Sequence, residues 1–169
     1  MKKKILKITL SIVLILILAV GIGLTYLVGA AGGGGPFDFV WKNKLKKMPG
    51  NAEKYSLENI EPLENSPLRG KRICYLGSSV TLGLYSMDVS FADYISYRNG
   101  CEYVKEAVSG TTLVDNGKTS YIQRMKNNIS KDEKFDAFVC QLSTNDASKK
   151  MPIGEPVSYT HLTLPTNRE

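Results

Sequence analysis

Arg72-Ile73-Cys74-Tyr75-Leu76-Gly77-Ser78-Ser79-Val80-Thr81-Leu82-Gly83 is the stretch on which the fold turns. Ile73 to Leu76 is a short apolar run stopped by Gly77, the pattern of a parallel strand buried on both faces. Working outward, Ser90 to Arg98 carries Phe91, Tyr94, Ile95 and Tyr97, with Ser90 as N-cap and Asn99-Gly100 as stop, which predicts a helix. Tyr103 to Val108 reads as a second strand ending at Ser109-Gly110. Ser120 to Ser130 has Ile122, Met125 and Ile129 at helical spacing, and Phe135 to Leu142 is a third apolar strand. Strand–helix–strand–helix–strand predicts an α/β domain with right-handed crossovers and a parallel sheet covered on both faces.

The chain has 169 residues, 43% of them hydrophobic and 22% charged, an ordinary globular composition that excludes disordered, collagen-like and coiled-coil classes. Its formal charge of +6 is local. Lys2, Lys3, Lys4 and Lys7 precede an apolar segment, and Lys42, Lys44, Lys46 and Lys47 follow it. From Gly50 onward, 14 Lys and Arg face 15 Asp and Glu, so no nucleic-acid footprint is expected. Ile8 to Ala31 is 24 residues without a charge, long enough as a helix to cross a membrane. The expectation is a cytoplasmic lysine head and transmembrane signal anchor over residues 1–31, with everything after it outside the cell. The alternative is a cleaved signal at Val28-Gly29-Ala30 and a secreted product. Residues 32–70 are expected to be a Gly-rich spacer and irregular connector. Within it, Lys42 to Lys47 beside Trp41 lie on lipid headgroups or form a solvated loop.

Cys74, Cys101 and Cys140 show neither C-x-x-C nor zinc-ligand spacing, so no metal site is expected. Cys74 and Cys140, inside apolar runs, are expected to be buried, inert thiols. Val157 to Glu169 is a different matter. It resembles the translated read-through of a transposase-type sequencing-library adapter, with agreement over Val157 to Thr166. Residues 157–169 are therefore set aside as a non-native tail, together with His161, the only histidine. The native sequence is expected to run to about Pro156, leaving residues 71–156 as a partial domain.

Parallel sheets carry their chemistry just beyond the carboxyl ends of the strands. Here those ends are Gly77-Ser78-Ser79, Ser109-Gly110-Thr111-Thr112 and Ser143-Thr144-Asn145-Asp146, all built from small polar residues. A serine attacks a carbonyl only when a base takes its proton and donors meet the oxyanion. Ser79 sits in a turn that Gly77 and Gly83 keep tight. The N–H groups of Ser79 and Gly110 and the Asn145 amide would make a three-donor oxyanion hole.

These residues carry a family resemblance. Gly77 to Gly83 resembles the first block of the SGNH/GDSL hydrolases, Gly-Asp-Ser-x-x-x-Gly; Gly110 matches the second block, and Asn145-Asp146 the third, Gly-x-Asn-Asp. Ser78 stands where the family has Asp, and Ser143 where it has Gly. The fourth block, Asp-x-x-His, which supplies base and orienter, does not occur in the sequence. The resemblance implies an incomplete SGNH fold with a flavodoxin-like sheet. It also implies a serine esterase or acyl-hydrolase acting on a small or carbohydrate-linked ester, with no cofactor and no metal. Ser79 would be the nucleophile and an oxyanion donor, and Gly110 and Asn145 the other donors. A copy lacking the fourth block is expected to be inactive as written, and its third strand, or one beside it, to expose an apolar edge. The alternatives are a flavodoxin-like module binding a phosphate or flavin, and a non-catalytic envelope protein. The first loop is neither a Gly-x-Ser-x-Gly elbow nor a Walker loop.

Overall fold

The computed structural model describes residues 2–117, 119–141 and 144–152, which divide between Ala52 and Glu53 into two compact units. The first unit begins with α1 (Lys2–Gly32), whose large apolar side chains from Ile5 to Val28 are exposed all round. No polar face exists to turn toward water, and the apolar part from Lys4 to Gly32 is long enough to cross a membrane. Such a helix suits a membrane anchor or a signal sequence. The expected irregular connector contains a helix, α2 (Asp38–Lys46), which buries Trp41 and Leu45 one turn apart. Asp38 in its first turn and Lys44 and Lys46 in its last complement the helix dipole.

In the second unit, 3-10 turns at Glu53–Tyr55 and Leu57–Asn59 lead to three parallel strands: β1 (Arg72–Gly77), β2 (Glu102–Ala107) and β3 (Ala137–Cys140). Their order is β2-β1-β3. Helix α3 (Ser79–Leu82) follows β1 directly, α4 (Phe91–Asn99) joins β1 to β2, α5 (Tyr121–Asn128) joins β2 to β3, and α6 (Thr144–Ser148) follows β3. The connector packs on this unit: Leu63 N–H donates to Arg98 O at 2.7 Å and Gly70 N–H to Gly100 O at 2.9 Å.

Side chains alternate across a strand, so β1 feeds two cores. Ile73 and Tyr75 pack with Ala92 of α4, and Leu76 packs with Leu113, Tyr121 and Ile122 beside α5. A strand order that reverses direction at β1 puts the two crossover helices on opposite faces, as right-handed connections require. Ser90 closes α4 with a capping box, and Gly100 ends it in the left-handed region. The expected helix cover on both faces holds for β1 and not for β3, where Ala137, Val139 and Cys140 are exposed. The cysteine expectation is corrected in the same way: Cys74 is buried and Cys140 is exposed. Cys74 lies on the central strand, whereas β3 is an edge with no neighbour on its far side among the described residues.

Candidate active site

The carboxyl ends of β2, β1 and β3 lie side by side, and the strand order switches direction at β1, the place where open α/β sheets form a crevice. Ser79 begins α3 immediately after β1. Two glycines make that turn possible. A Cβ on Gly77 would lie 1.9 Å from Thr81 Oγ1 and 2.4 Å from Thr81 Cβ, so the Thr81 side chain folds back onto the strand end only because Gly77 has none. Gly83 caps α3 at φ +86°, and a Cβ there would lie 2.4 Å from Val89 O. The result is a single helical turn, closed by Gly83 N–H to Ser79 O at 3.0 Å, that presents a half-buried Ser79. As the first residue of a helix, Ser79 has an N–H with no partner inside that helix.

Gly110 lies in the loop after β2 at φ +74°, exposed, with open space where a side chain would be. Its glycine answers a left-handed backbone rather than crowding. The next four residues, Thr111 to Val114, are buried, and α6 holds them. Asp146 accepts Leu113 N–H on Oδ2 and Val114 N–H on Oδ1, each at 2.9 Å. Asn145 Nδ2 donates to Thr111 O at 2.9 Å, and Lys149 Nζ donates to Gly110 O at 2.6 Å. The third loop thus latches the second at the successive carbonyls of Gly110 and Thr111.

Arg124 of α5 binds the ends of two strands to the same loop. Nη2 donates to Gly77 O at 2.7 Å and to Thr111 Oγ1 at 3.3 Å. Nη1 donates to Glu106 O at 2.6 Å and to the Glu106 carboxylate at 3.3 Å, and Nε donates to Thr119 O at 3.0 Å. The side chain is 4% exposed, so this guanidinium is held in a low-dielectric setting with every nitrogen bonded. On the other side, Thr81 Oγ1 donates to Gln141 Oε1 at 3.2 Å, joining the first loop to the end of β3.

A second buried ion pair anchors the segment after α3. Lys105 Nζ donates to Asp93 Oδ2 and Asp88 O, each at 2.6 Å. Asp88 and its neighbour Met87 are held at φ +63° and +56°, a costly conformation for residues with side chains. Asp93 also accepts from Ser90 N–H at 2.7 Å and from Tyr103 OH at 2.8 Å. Burial pushes the Asp93 carboxyl up, but the bonds from Lys105, Ser90 N–H and Tyr103 outweigh it and hold the group below its ordinary value. Burial, then the same carboxylate, pushes the Tyr103 phenol up to about 12.

Of the three residues expected to form the site, Gly110 and Asn145 are joined through Thr111. Ser79 stands at the same end of the sheet; its neighbour Gly77 is linked to Thr111 through Arg124, and its neighbour Thr81 bonds Gln141 at the end of β3. Its hydroxyl makes no hydrogen bond to another described residue. Ser143, the excluded tail and His161 lie outside the described residues. Arg124, the Asp146 latch and the Lys105–Asp93 pair were not anticipated. One sign of Arg124 was present: it falls three residues after Tyr121, on the same face of the helix. No family model, curated protein or solved structure matches the chain.

Proposed function

We propose that the domain is a serine ester hydrolase of the SGNH/GDSL type, with Ser79 as nucleophile and the N–H groups of Ser79 and Gly110 and the Asn145 amide as oxyanion donors. The observation that supports this best is the hydrogen-bonded closure of the three loops, which come from distant parts of the sequence. Arg124 spans Gly77 and Thr111, Asn145 bonds Thr111, and Thr81 bonds Gln141. Ser79 Oγ would attack the ester carbonyl, its proton would pass to a base, and the alcohol would leave to give an acyl-enzyme that water hydrolyses. The sequence holds no Asp-x-x-His, so the base must come from outside the residues named here, and unaided turnover is expected to be negligible.

A phosphate-binding reading accounts for the first loop alone. It gives no role to Asn145, whose amide is positioned at a separate strand end. The test is acylation rather than turnover. Incubated with p-nitrophenyl acetate and imidazole as external base, the full chain should acquire an acetyl group that peptide mapping locates on Ser79. Acetylation confined to lysines, or unchanged in Ser79→Ala, would overturn the assignment.

A further inference from the structure

We propose that α2 is an interfacial helix whose lysines bind the anionic headgroups of the leaflet from which α1 emerges. The inference rests on reading α1 as an uncleaved membrane span and is independent of the chemistry at Ser79.

The placement comes from the first unit alone. Gly33, Gly34 and Gly35 all adopt positive φ, at +77°, +92° and +66°, and reverse the chain at the end of α1. The returning segment seats itself on α1 instead of drifting away. A Cβ on Gly29 would lie 2.7 Å from Phe37 Cβ, so Phe37 rests directly on the helix backbone. Phe37 also meets Tyr26 edge-on, with ring centroids 5.4 Å apart. Trp41 packs on Gly33, where a Cβ would lie 2.7 Å from its Cδ1, and Asp38 accepts Gly34 N–H at 2.8 Å. These contacts hold α2 beside the last turns of α1.

Depth follows from length. About 20 helical residues fill a hydrocarbon core roughly 30 Å thick, so a core that begins at Ile8 ends near Leu27. The turn at Gly33 and α2 then fall at headgroup level. Tyr26, Phe37, Phe39 and Trp41 gather there, the composition of an interfacial aromatic belt. Trp41 and Leu45 take the buried side of α2, while Lys42, Lys44, Lys46 and Lys47 are exposed and Phe39 is 56% exposed. Asp38 pairs with Lys42 at 2.6 Å and is the only acidic residue among the four lysines. Lys44 lies over the Trp41 ring, 5.3 Å from its centroid, so its charge and that ring share one environment. A cationic face held this close to a bilayer lies within a Debye length of the headgroups, about 10 Å at 0.1 M salt, which selects an anionic leaflet as its partner.

The test places the full chain in lipid nanodiscs, either phosphatidylcholine alone or with phosphatidylglycerol. Lysine acetylation by a neutral reagent is followed residue by residue, with Lys131 and Lys134 of the second unit as internal references. In anionic discs, Lys44, Lys46 and Lys47 should react several-fold more slowly than in neutral discs. The difference should vanish near 1 M salt, where screening is complete within about 3 Å. Trp41, the only tryptophan, should be quenched by a headgroup-level nitroxide lipid more strongly in anionic than in neutral discs. The variant with Lys44, Lys46 and Lys47 all replaced by Gln should lose that dependence on lipid charge. Equal acetylation in the two discs, or a variant that still responds to lipid charge, would overturn the inference. A chain that washes off both discs in alkaline carbonate would overturn the anchor reading as well.

Discussion

Asn145 Nδ2 donates to the Thr111 carbonyl at 2.9 Å, so the amide expected to meet an oxyanion is braced against the loop that carries Gly110. An amide nitrogen has two protons. The bond to Thr111 fixes the plane of the group. Preorganisation of this kind is what the proposed oxyanion role of Asn145 requires.

Asn145→Ala should therefore slow acetylation of Ser79 by about 10²–10³-fold, the usual cost of one lost oxyanion donor. The Asp146 latch on Leu113 and Val114 remains in that variant, so the loop should keep its fold. Single-turnover p-nitrophenolate release, with near-ultraviolet circular dichroism as the control for folding, checks both halves.

Arg124→Met should destabilise the second unit by about 3–5 kcal/mol, because it strips a buried cation from its carboxylate partner and from the carbonyls of Gly77, Glu106 and Thr119. Arg124→Lys keeps the charge but loses the fork, and should fall between the two. Urea unfolding followed by circular dichroism measures the series.

Gly77→Ala should cost about 1–3 kcal/mol or more, because the new methyl group would meet the Thr81 side chain inside van der Waals distance. Adding Thr81→Gly removes both colliding atoms. Less loss in the double variant than in Gly77→Ala, by the same unfolding measurement, would locate the strain at that contact.

The strand–helix alternation was legible because each signal is local. Ile73 to Leu76 announces a buried strand, and Ser90 with Asp93 announces the start of a helix. Lys105 and Glu106 inside β2 gave no such signal, because their places are set by ion pairs with Asp93 and Arg124 on the covering helices. Cys140 misled because a run of apolar residues looks the same on an edge as in a core. Helix α2 was missed because Trp41 and Leu45 supply one repeat, too little to declare a period. The positioning bonds of Arg124 and Asp146 were invisible for another reason. Their partners include main-chain groups such as Gly77 O, Leu113 N and Val114 N, which every sequence contains.

Acid should loosen the segment after α3. The Asp93 carboxyl is held below its ordinary value in the folded chain, so its contribution to stability is complete above about pH 4, the unfolded value. That contribution is lost as pH falls through the lower folded value. Asp93→Asn should flatten this acid limb and weaken the hold of Lys105 on Asp88, seen as faster amide exchange at Val89 and Ser90.

The most direct measurement is a burst titration of the full chain with p-nitrophenyl acetate and imidazole. Above the steady release that imidazole itself catalyses, a burst of one p-nitrophenolate per folded chain should appear, and the burst should be absent from Ser79→Ala. A burst of the same size in Ser79→Ala, or none in the unaltered chain, would contradict Ser79 as the nucleophile.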